Sequence, residues 1–281
     1  MVRENVLVTG YRGFLGQSLM TRLKTSGYGG CIGVGKNDDI AENFNYPPDV
    51  IFHLASAGSK KNDYSEDEIV ITNITETWRL LKTMRDIPYR ALINFSSSSV
   101  YGIKDHPMRE DDNLAPNFLY ASTKAATEML CRNEAVEHGK PIVNARLFTI
   151  YGPGMQETKL IPVLFDRIKN GKEIQIVDGE HDFLYIDDCL EALNVLVDNA
   201  GQLAGTAVNL GTGIATTNKE IVEHIEDIVG KKAIFSKKPF EHNHTSVDSP
   251  VWRANINTLK TYGWKPKVSV REGLERMYES M

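Results

Sequence analysis

Asn5-Val6-Leu7-Val8-Thr9-Gly10-Tyr11-Arg12-Gly13-Phe14-Leu15-Gly16 decides how the rest of the chain reads. A short β-branched run passes without a break into glycines spaced G-x-x-G-x-x-G, and a helical pattern continues through Ser26. Strand, glycine turn and helix opening form the unit that holds the pyrophosphate of a dinucleotide. Glycine permits the tight turn and lets the backbone approach the phosphates, which then sit at a helix N-terminus among N–H groups. Glycines alone could equally serve a close helix–strand contact, so the weight rests on the strand before them and the helix after.

Outward from this unit, strands and helices alternate through the first 150 residues. Residues 31–34 read as a strand ending in Gly35-Lys36, and 49–55 as a continuous apolar strand, buried on both faces as parallel strands are. A helix is predicted over 66–84. A strand over 91–95 runs into Ser96-Ser97-Ser98-Ser99 and Val100-Tyr101-Gly102. Pro116-Asn117 precedes a helix reaching about residue 136, and 142–148 is a further strand. The pattern predicts an α/β, Rossmann-type, doubly wound parallel sheet. Later elements are shorter: a helix near 160–170, a strand at 174–177, a helix ending near 199, a strand at 207–211, and helices opened by the capping boxes Thr217/Glu220 and Ser269/Glu272. The expected division is a dinucleotide-binding domain of residues 1–148 with about 183–200. A smaller α/β substrate lobe takes about 149–182 and 201–281.

The 281-residue chain carries a net charge of −5, which offers no basic field for a nucleic-acid backbone. No apolar run reaches the ~18 residues needed to cross a bilayer, and Met1-Val2-Arg3-Glu4-Asn5 lacks the apolar core of a signal peptide. A cytoplasmic location without membrane attachment is expected. Cys31, Cys131 and Cys189 form neither a disulfide framework nor a CxxC pair and read as small buried residues. Asp187-Asp188 and His242-Asn243-His244 lack partners at ligand spacing, so no metal site is expected. His53, inside an apolar strand, reads as a hydrogen-bonded core histidine.

Tyr120 and Lys124, four apart on a helix, place their Cβ atoms roughly 5–6 Å from each other on one face. A free phenol has a pKa of about 10, and a nearby ammonium favours the phenolate. The pair is a candidate acid/base device, although the same spacing also occurs on solvated faces. The serine cluster stands at the carboxyl end of a parallel strand, where ligands bind in such sheets. Strand alternation would point Ser97 and Ser99 one way and Ser96 and Ser98 the other. Lys36 occupies the place where NAD-binding folds carry an acid for the ribose 2′-hydroxyl. Together with Arg12 it would neutralise the 2′-phosphate of NADP. NAD is the alternative, with Asp38 or Asp39 on the ribose.

Gly10-x-x-Gly13-x-x-Gly16, the serines before Val100-Tyr101-Gly102, Tyr120-x-x-x-Lys124, Tyr151-Gly152-Pro153-Gly154 and Asp182-Phe183-x-Tyr185-x-Asp187-Asp188 together resemble the extended short-chain dehydrogenase/reductases, the nucleotide-sugar epimerases, dehydratases and reductases. The resemblance extends to Asn209-Leu210-Gly211-Thr212-Gly213 and Tyr262-Gly263-Trp264-Lys265-Pro266. It implies that Tyr120 is the general acid/base, that Lys124 lowers its pKa and bonds the nicotinamide ribose, and that Ser97 holds the substrate oxygen. It further implies a cofactor cradle from Gly10, Gly13, Phe14, Leu15 and Gly16, with Leu54 and Ala55 on the adenosine side and Phe148 completing the cofactor set. Ser56, Ser97, Ser98, Thr149 and His181 would face the substrate. The Gly-x-Arg-Gly turn resembles that of an NADPH-dependent reductase of this group.

The chain departs from the pattern at Thr149, where the group usually has asparagine, and at His181, where it usually has arginine. Ser98-Ser99 stands where dehydratases carry Asp-Glu, so elimination of water lacks its acid and base, and reduction needs neither. The resemblance therefore implies an NADPH-dependent reductase of a nucleotide-linked 4-keto-6-deoxy sugar. The alternatives are a nucleotide-sugar epimerase that retains NAD and, in another class, a non-catalytic NADP-sensing binding protein. A homodimer through the helix bearing Tyr120 and the helix over 66–84 is also implied.

Overall fold

The structure is a computed structural model that describes residues 4–25, 30–35, 47–58, 64–236 and 251–281. Lys36, Asp38, Asp39 and the pair His242 and His244 lie outside the described residues. Strand β1 (Asn5–Thr9) enters helix α1 (Phe14–Thr25) through a turn in which Gly10 N–H reaches the Val34 carbonyl at 3.0 Å. β2 (Gly30–Val34) and β3 (Val50–His53) flank β1 in parallel, Val6 facing Cys31 on one side and Val50 on the other.

The helix predicted over 66–84 is interrupted. α2 (Glu66–Val70) opens with a Ser65/Glu68 capping box, Ile71–Thr75 widens into a π turn, and α3 (Glu76–Met84) resumes. Ile71-Thr72-Asn73-Ile74-Thr75 is almost wholly β-branched, a composition stiff at χ1 and weak in helix propensity. β4 (Ala91–Ser97) ends in a 3₁₀ turn (Ser98–Tyr101), so strand alternation stops at Ser97. α4 (Leu119–His138) closes on Gly139 in the left-handed region, φ 64°, and β5 (Ile142–Leu147) follows.

The remaining elements are β6 (Thr149–Tyr151), α5 (Leu160–Lys169), β7 (Glu173–Ile174), β8 (Glu180–His181), β9 (Phe183–Tyr185) and α6 (Ile186–Asp198). After them come β10 (Ala207–Leu210), β11 (Thr216–Thr217), α7 (Asn218–Val229), β12 (Ile234–Phe235), α8 (Asn257–Thr261) and α9 (Val270–Glu279). Among the described residues the central parallel sheet has six strands in the order β10-β5-β4-β3-β1-β2. The order reverses between β1 and β3, and their carboxyl ends carry the glycine turn and Leu54-Ala55. Ligands bind at such switch points.

Leu7, Ile51 and Leu92 of adjacent strands pack with Leu80, Leu81 and Met84 of α3 and Cys131 of α4, all essentially inaccessible. The chain forms two compact units, one of Met1–Gly102, Glu110–Leu147 and Leu190–Asn209, the other of Ile103–Arg109, Phe148–Cys189 and Leu210–Met281. β10 supplies the outer strand of the sheet beside β5.

In the second unit, Asp188 Oδ2 accepts the Lys267 and Val268 N–H groups at 3.0 and 2.9 Å, and Asp187 pairs with Arg276 at 3.5 Å. Both acids are thereby accounted for within the fold. Cys131 and Cys189 are buried as expected, while Cys31 is half-buried. Among the described residues no helix is long and apolar enough to cross a membrane.

Gly273 sits inside α9 because Tyr151 needs the room: a Cβ there would lie 2.1 Å from the Tyr151 hydroxyl. That hydroxyl bonds the Val270 carbonyl at 3.2 Å. Gly273→Ala is expected to lower stability by about 2 kcal/mol through overpacking, outweighing the ~1 kcal/mol that alanine gains in helix propensity. A raised urea midpoint would show that Tyr151 yields instead.

Candidate active site

The carboxyl ends of β1, β3, β4 and β5 and the first turns of α4 line an open pocket of about 180 Å³. Its walls are the glycine turn, Leu54 and Ser56 after β3, Phe95 and Ser96 of β4, and Tyr120 and Lys124 of α4. The three glycines of the turn are there for different reasons. Gly10 has φ 70°, and a Cβ on it would come within 2.7 Å of the Ala55 backbone nitrogen. A Cβ on Gly16 would lie 2.5 Å from the Gly10 carbonyl oxygen. A Cβ on Gly13 would meet only that same oxygen, at 3.4 Å. The fold therefore requires glycine at 10 and 16 but not at 13, where the missing side chain keeps the cavity wall open at the head of α1. A wall of bare backbone beside helix N–H groups fits a dinucleotide pyrophosphate.

Across the cavity, the Ser56 and Ser97 side chains stand close enough to the Tyr120 phenol to favour its ionised form. Ser97 Oγ is fixed in turn, accepting from the Ser99 N–H at 3.2 Å and from the Ser99 hydroxyl at 2.9 Å. Ser99 thus folds back onto Ser97 from the 3₁₀ turn instead of sharing its strand face. Lys124 is 4% exposed, donates to the Phe95 carbonyl at 2.7 Å, and holds its Nζ 6.0 Å from the Tyr120 ring centroid.

One expectation is corrected by these positions. Lys124 was to draw the phenol pKa down, yet burial raises it, and the opposing pull comes from Ser56 and Ser97. The ammonium is engaged by a carbonyl, and its own pKa falls to about 8 through burial.

Beneath this layer Glu128, one turn beyond Lys124, takes the Ser96 hydroxyl at 2.5 Å and a two-pronged bond from Arg146, with Nη2 at 2.8 Å. The guanidinium also stands 4.6 Å from the Tyr101 ring centroid and donates to the Glu110 carbonyl at 3.1 Å. Ser96 and Ser97 therefore do alternate, one toward Glu128 and the other toward Tyr120.

Gly10, Gly13, Phe14, Leu15, Gly16, Leu54, Ser56, Tyr120 and Lys124 come together as the sequence anticipates. Ala55 lies under Gly10 and gives its N–H to Thr9 Oγ1 at 3.2 Å. Arg12 is on the exposed rim of the turn, its Nε donating to the Tyr11 hydroxyl at 3.0 Å. Ser98 is buried in the 3₁₀ turn.

Phe148, Thr149 and His181 belong to the second unit. Phe148 is buried with its N–H on the Leu210 carbonyl, Thr149 N–H bonds the Asp182 carbonyl at 3.0 Å, and His181 stands edge-on to Phe183 and Trp252.

Sequence reading missed Asn73. From the π turn its Oδ1 accepts the Ala57 N–H at 2.8 Å and the Ser56 hydroxyl at 3.3 Å, while Nδ2 donates to the Ala57 carbonyl and to Thr123 Oγ1. An asparagine amid β-branched residues on a helix that must be half-buried was the available signal.

The parallel sheet, the open glycine turn and the convergent serine, tyrosine and lysine define a nicotinamide-dependent enzyme of the extended short-chain dehydrogenase/reductase type. The model of the NAD dependent epimerase/dehydratase family matches residues 6–211, and the chain belongs to that family. A probable UDP-glucuronate 4-epimerase of Rhizobium meliloti is 31% identical over 257 residues, spanning 83% of this chain and 74% of that protein. The dTDP-4-dehydro-6-deoxyglucose reductase of Escherichia coli is 28% identical over 243 residues, spanning 82% and 74%. The UDP-glucuronic acid 4-epimerase of Bacillus cereus, solved with UDP-glucuronic acid and NAD, superposes with a TM-score of 0.84 at 27% identity, covering 98% of both chains.

Proposed function

We propose that the protein is an NADPH-dependent reductase of a nucleotide-linked 4-keto-6-deoxy sugar. The observation that carries this reading is the convergence of Ser56 and Ser97 on the Tyr120 phenol with Lys124 behind the ring. When bound, the nicotinamide supplies the hydride. Tyr120 holds the proton delivered to the developing alkoxide, and Ser97 orients that oxygen. Lys124, its Nζ 6.0 Å from the ring centroid and on the Phe95 carbonyl, is the group expected to bond the nicotinamide ribose. Arg12, at the mouth of the glycine turn, supports NADPH over NADH by pairing with a 2′-phosphate, with Lys36 as its expected partner. Thr149 and His181 take the sugar-nucleotide side. The enzyme works in the cytoplasm as a homodimer, docked through exposed apolar residues of α4 such as Met129 and Val136 and through Ile71 of the π turn.

An epimerase that oxidises and re-reduces one carbon on a retained NAD is the second reading, favoured by relatives and neighbours described as UDP-glucuronate 4-epimerases. A panel of keto-sugar nucleotides incubated with NADPH and with NADH separates the two. The reductase is expected to consume one reduced cofactor per product formed, faster with NADPH. Interconversion of two sugar nucleotides without net consumption establishes the epimerase. Tight dinucleotide binding with neither reaction would leave only a sensor.

A further inference from the structure

His53 ends β3 at 3% exposure, and the proposed chemistry gives it no part. Its surroundings determine where its proton lies. Thr77 Oγ1 donates to the Asn73 carbonyl at 2.5 Å and stands 2.8 Å from His53 Nε2. On the other side, Thr9 Oγ1 stands 2.7 Å from His53 Nδ1 and accepts the Ala55 N–H. A hydroxyl has one proton, and that of Thr77 is committed to Asn73, so toward His53 the Thr77 oxygen can only accept and Nε2 must carry hydrogen. Burial, reinforced by the positive charge of Lys124, lowers the His53 pKa to about 3, so the ring holds one proton only. Nδ1 then accepts, and Thr9 donates to it.

The bonds therefore run in one direction: Ala55 N–H to Thr9, Thr9 to Nδ1, Nε2–H to Thr77, Thr77 to the Asn73 carbonyl. Each end adjoins a residue that lines the cavity. Thr9 immediately precedes Gly10, where an added Cβ would lie 2.7 Å from the Ala55 nitrogen. Asn73 holds Ser56, which lies beside the Tyr120 phenol, and Thr123, whose hydroxyl bonds the Tyr120 carbonyl at 2.8 Å.

We propose that His53, locked as the Nε2–H tautomer between Thr9 and Thr77, is a positioning residue that ties the glycine turn to the Asn73–Ser56 cluster beside Tyr120. The tautomer follows from the proton inventory at Thr77 and the burial of the ring, whereas the consequence for turnover rests on the reading of Tyr120 given above. The two ends of the tie serve different parameters, the Thr9 end cofactor binding and the Thr77 end the alignment of Tyr120.

The first test needs no substrate. Imidazole ¹⁵N spectra of the intact protein should show His53 with a pyrrole-type Nε2 and a pyridine-type Nδ1, and the reverse pattern or a doubly protonated ring overturns the proposal. The second uses NADPH and NADH titrations with steady-state turnover of the substrate identified by the panel. Thr9→Val is expected to weaken dinucleotide binding about tenfold, and Thr77→Val to lower kcat about tenfold with the dissociation constant changed less than about twofold. Thr77→Ser, which keeps the hydroxyl, should restore kcat. Equal losses of binding and kcat in both valine variants, or wild-type kcat in Thr77→Val, refute the tie. If Tyr120→Phe turns over normally while the Nε2–H signature is present, the catalytic reading fails and the tautomer assignment survives.

Discussion

Tyr120→Phe is expected to lower turnover by roughly 10²–10⁴-fold, the range for removing a positioned general acid, with dinucleotide affinity changed less than about threefold. The asymmetry follows from the site. The phenol oxygen is the atom on which Ser56 and Ser97 converge, whereas the glycine turn lies at the ends of different strands and loses no contact when the hydroxyl is removed. Phenylalanine keeps the ring and its 6.2 Å stacking with Phe118, so α4 should open as before. Stopped-flow measurement of cofactor oxidation with a saturating keto-sugar nucleotide, beside fluorescence titration of NADPH, reads both quantities on one preparation. A Phe variant as fast as the parent would transfer the proton to another group and void the proposed reaction.

Gly13→Ala should cost roughly 10–100-fold in dinucleotide affinity, equivalent to 1–3 kcal/mol of overpacking against the ligand, and change folding stability by no more than about 0.5 kcal/mol. The new methyl would meet only the Gly10 oxygen at 3.4 Å, an ordinary contact. Gly10→Ala and Gly16→Ala are expected to lose stability as well, by roughly 3 kcal/mol, because their methyls would strike backbone at 2.7 and 2.5 Å and position 10 also needs φ 70°. Differential scanning calorimetry with and without NADPH distinguishes the two classes. If Gly13→Ala binds like the parent, the pyrophosphate lies elsewhere and the cradle is only a strand–helix contact.

How much of this was legible in the sequence depends on whether a residue acts through local geometry. The glycine turn, the Tyr120/Lys124 spacing and Ser97 on its strand face are local, and all were readable. Ser98 and Ser99 were misread because a strand period was extended into a 3₁₀ turn, where side chains no longer alternate. The effect of Lys124 on the phenol was misjudged because spacing reveals proximity but not the Phe95 carbonyl that engages the amine, nor the burial that dominates both pKa values. Glu128 and Arg146, 18 residues apart, meet only because α4 lies over β4 and β5. The helix over 66–84 was legible as a helix, while the π turn that aims Asn73 was not, since propensity marks a weak segment without naming its geometry.

That π turn has a bearing on which changes of chain length the protein can absorb. A wide turn accommodates one more residue than the α geometry on either side, and every residue of an α-helix advances about 100° around the axis. Deleting one residue within 71–75 would let the helix regularise and would swing either Asn73 or the whole of α3 through that angle. Insertions and deletions along this lineage should therefore accumulate in surface connections and spare this buried stretch, whose count of residues matters as much as their identity.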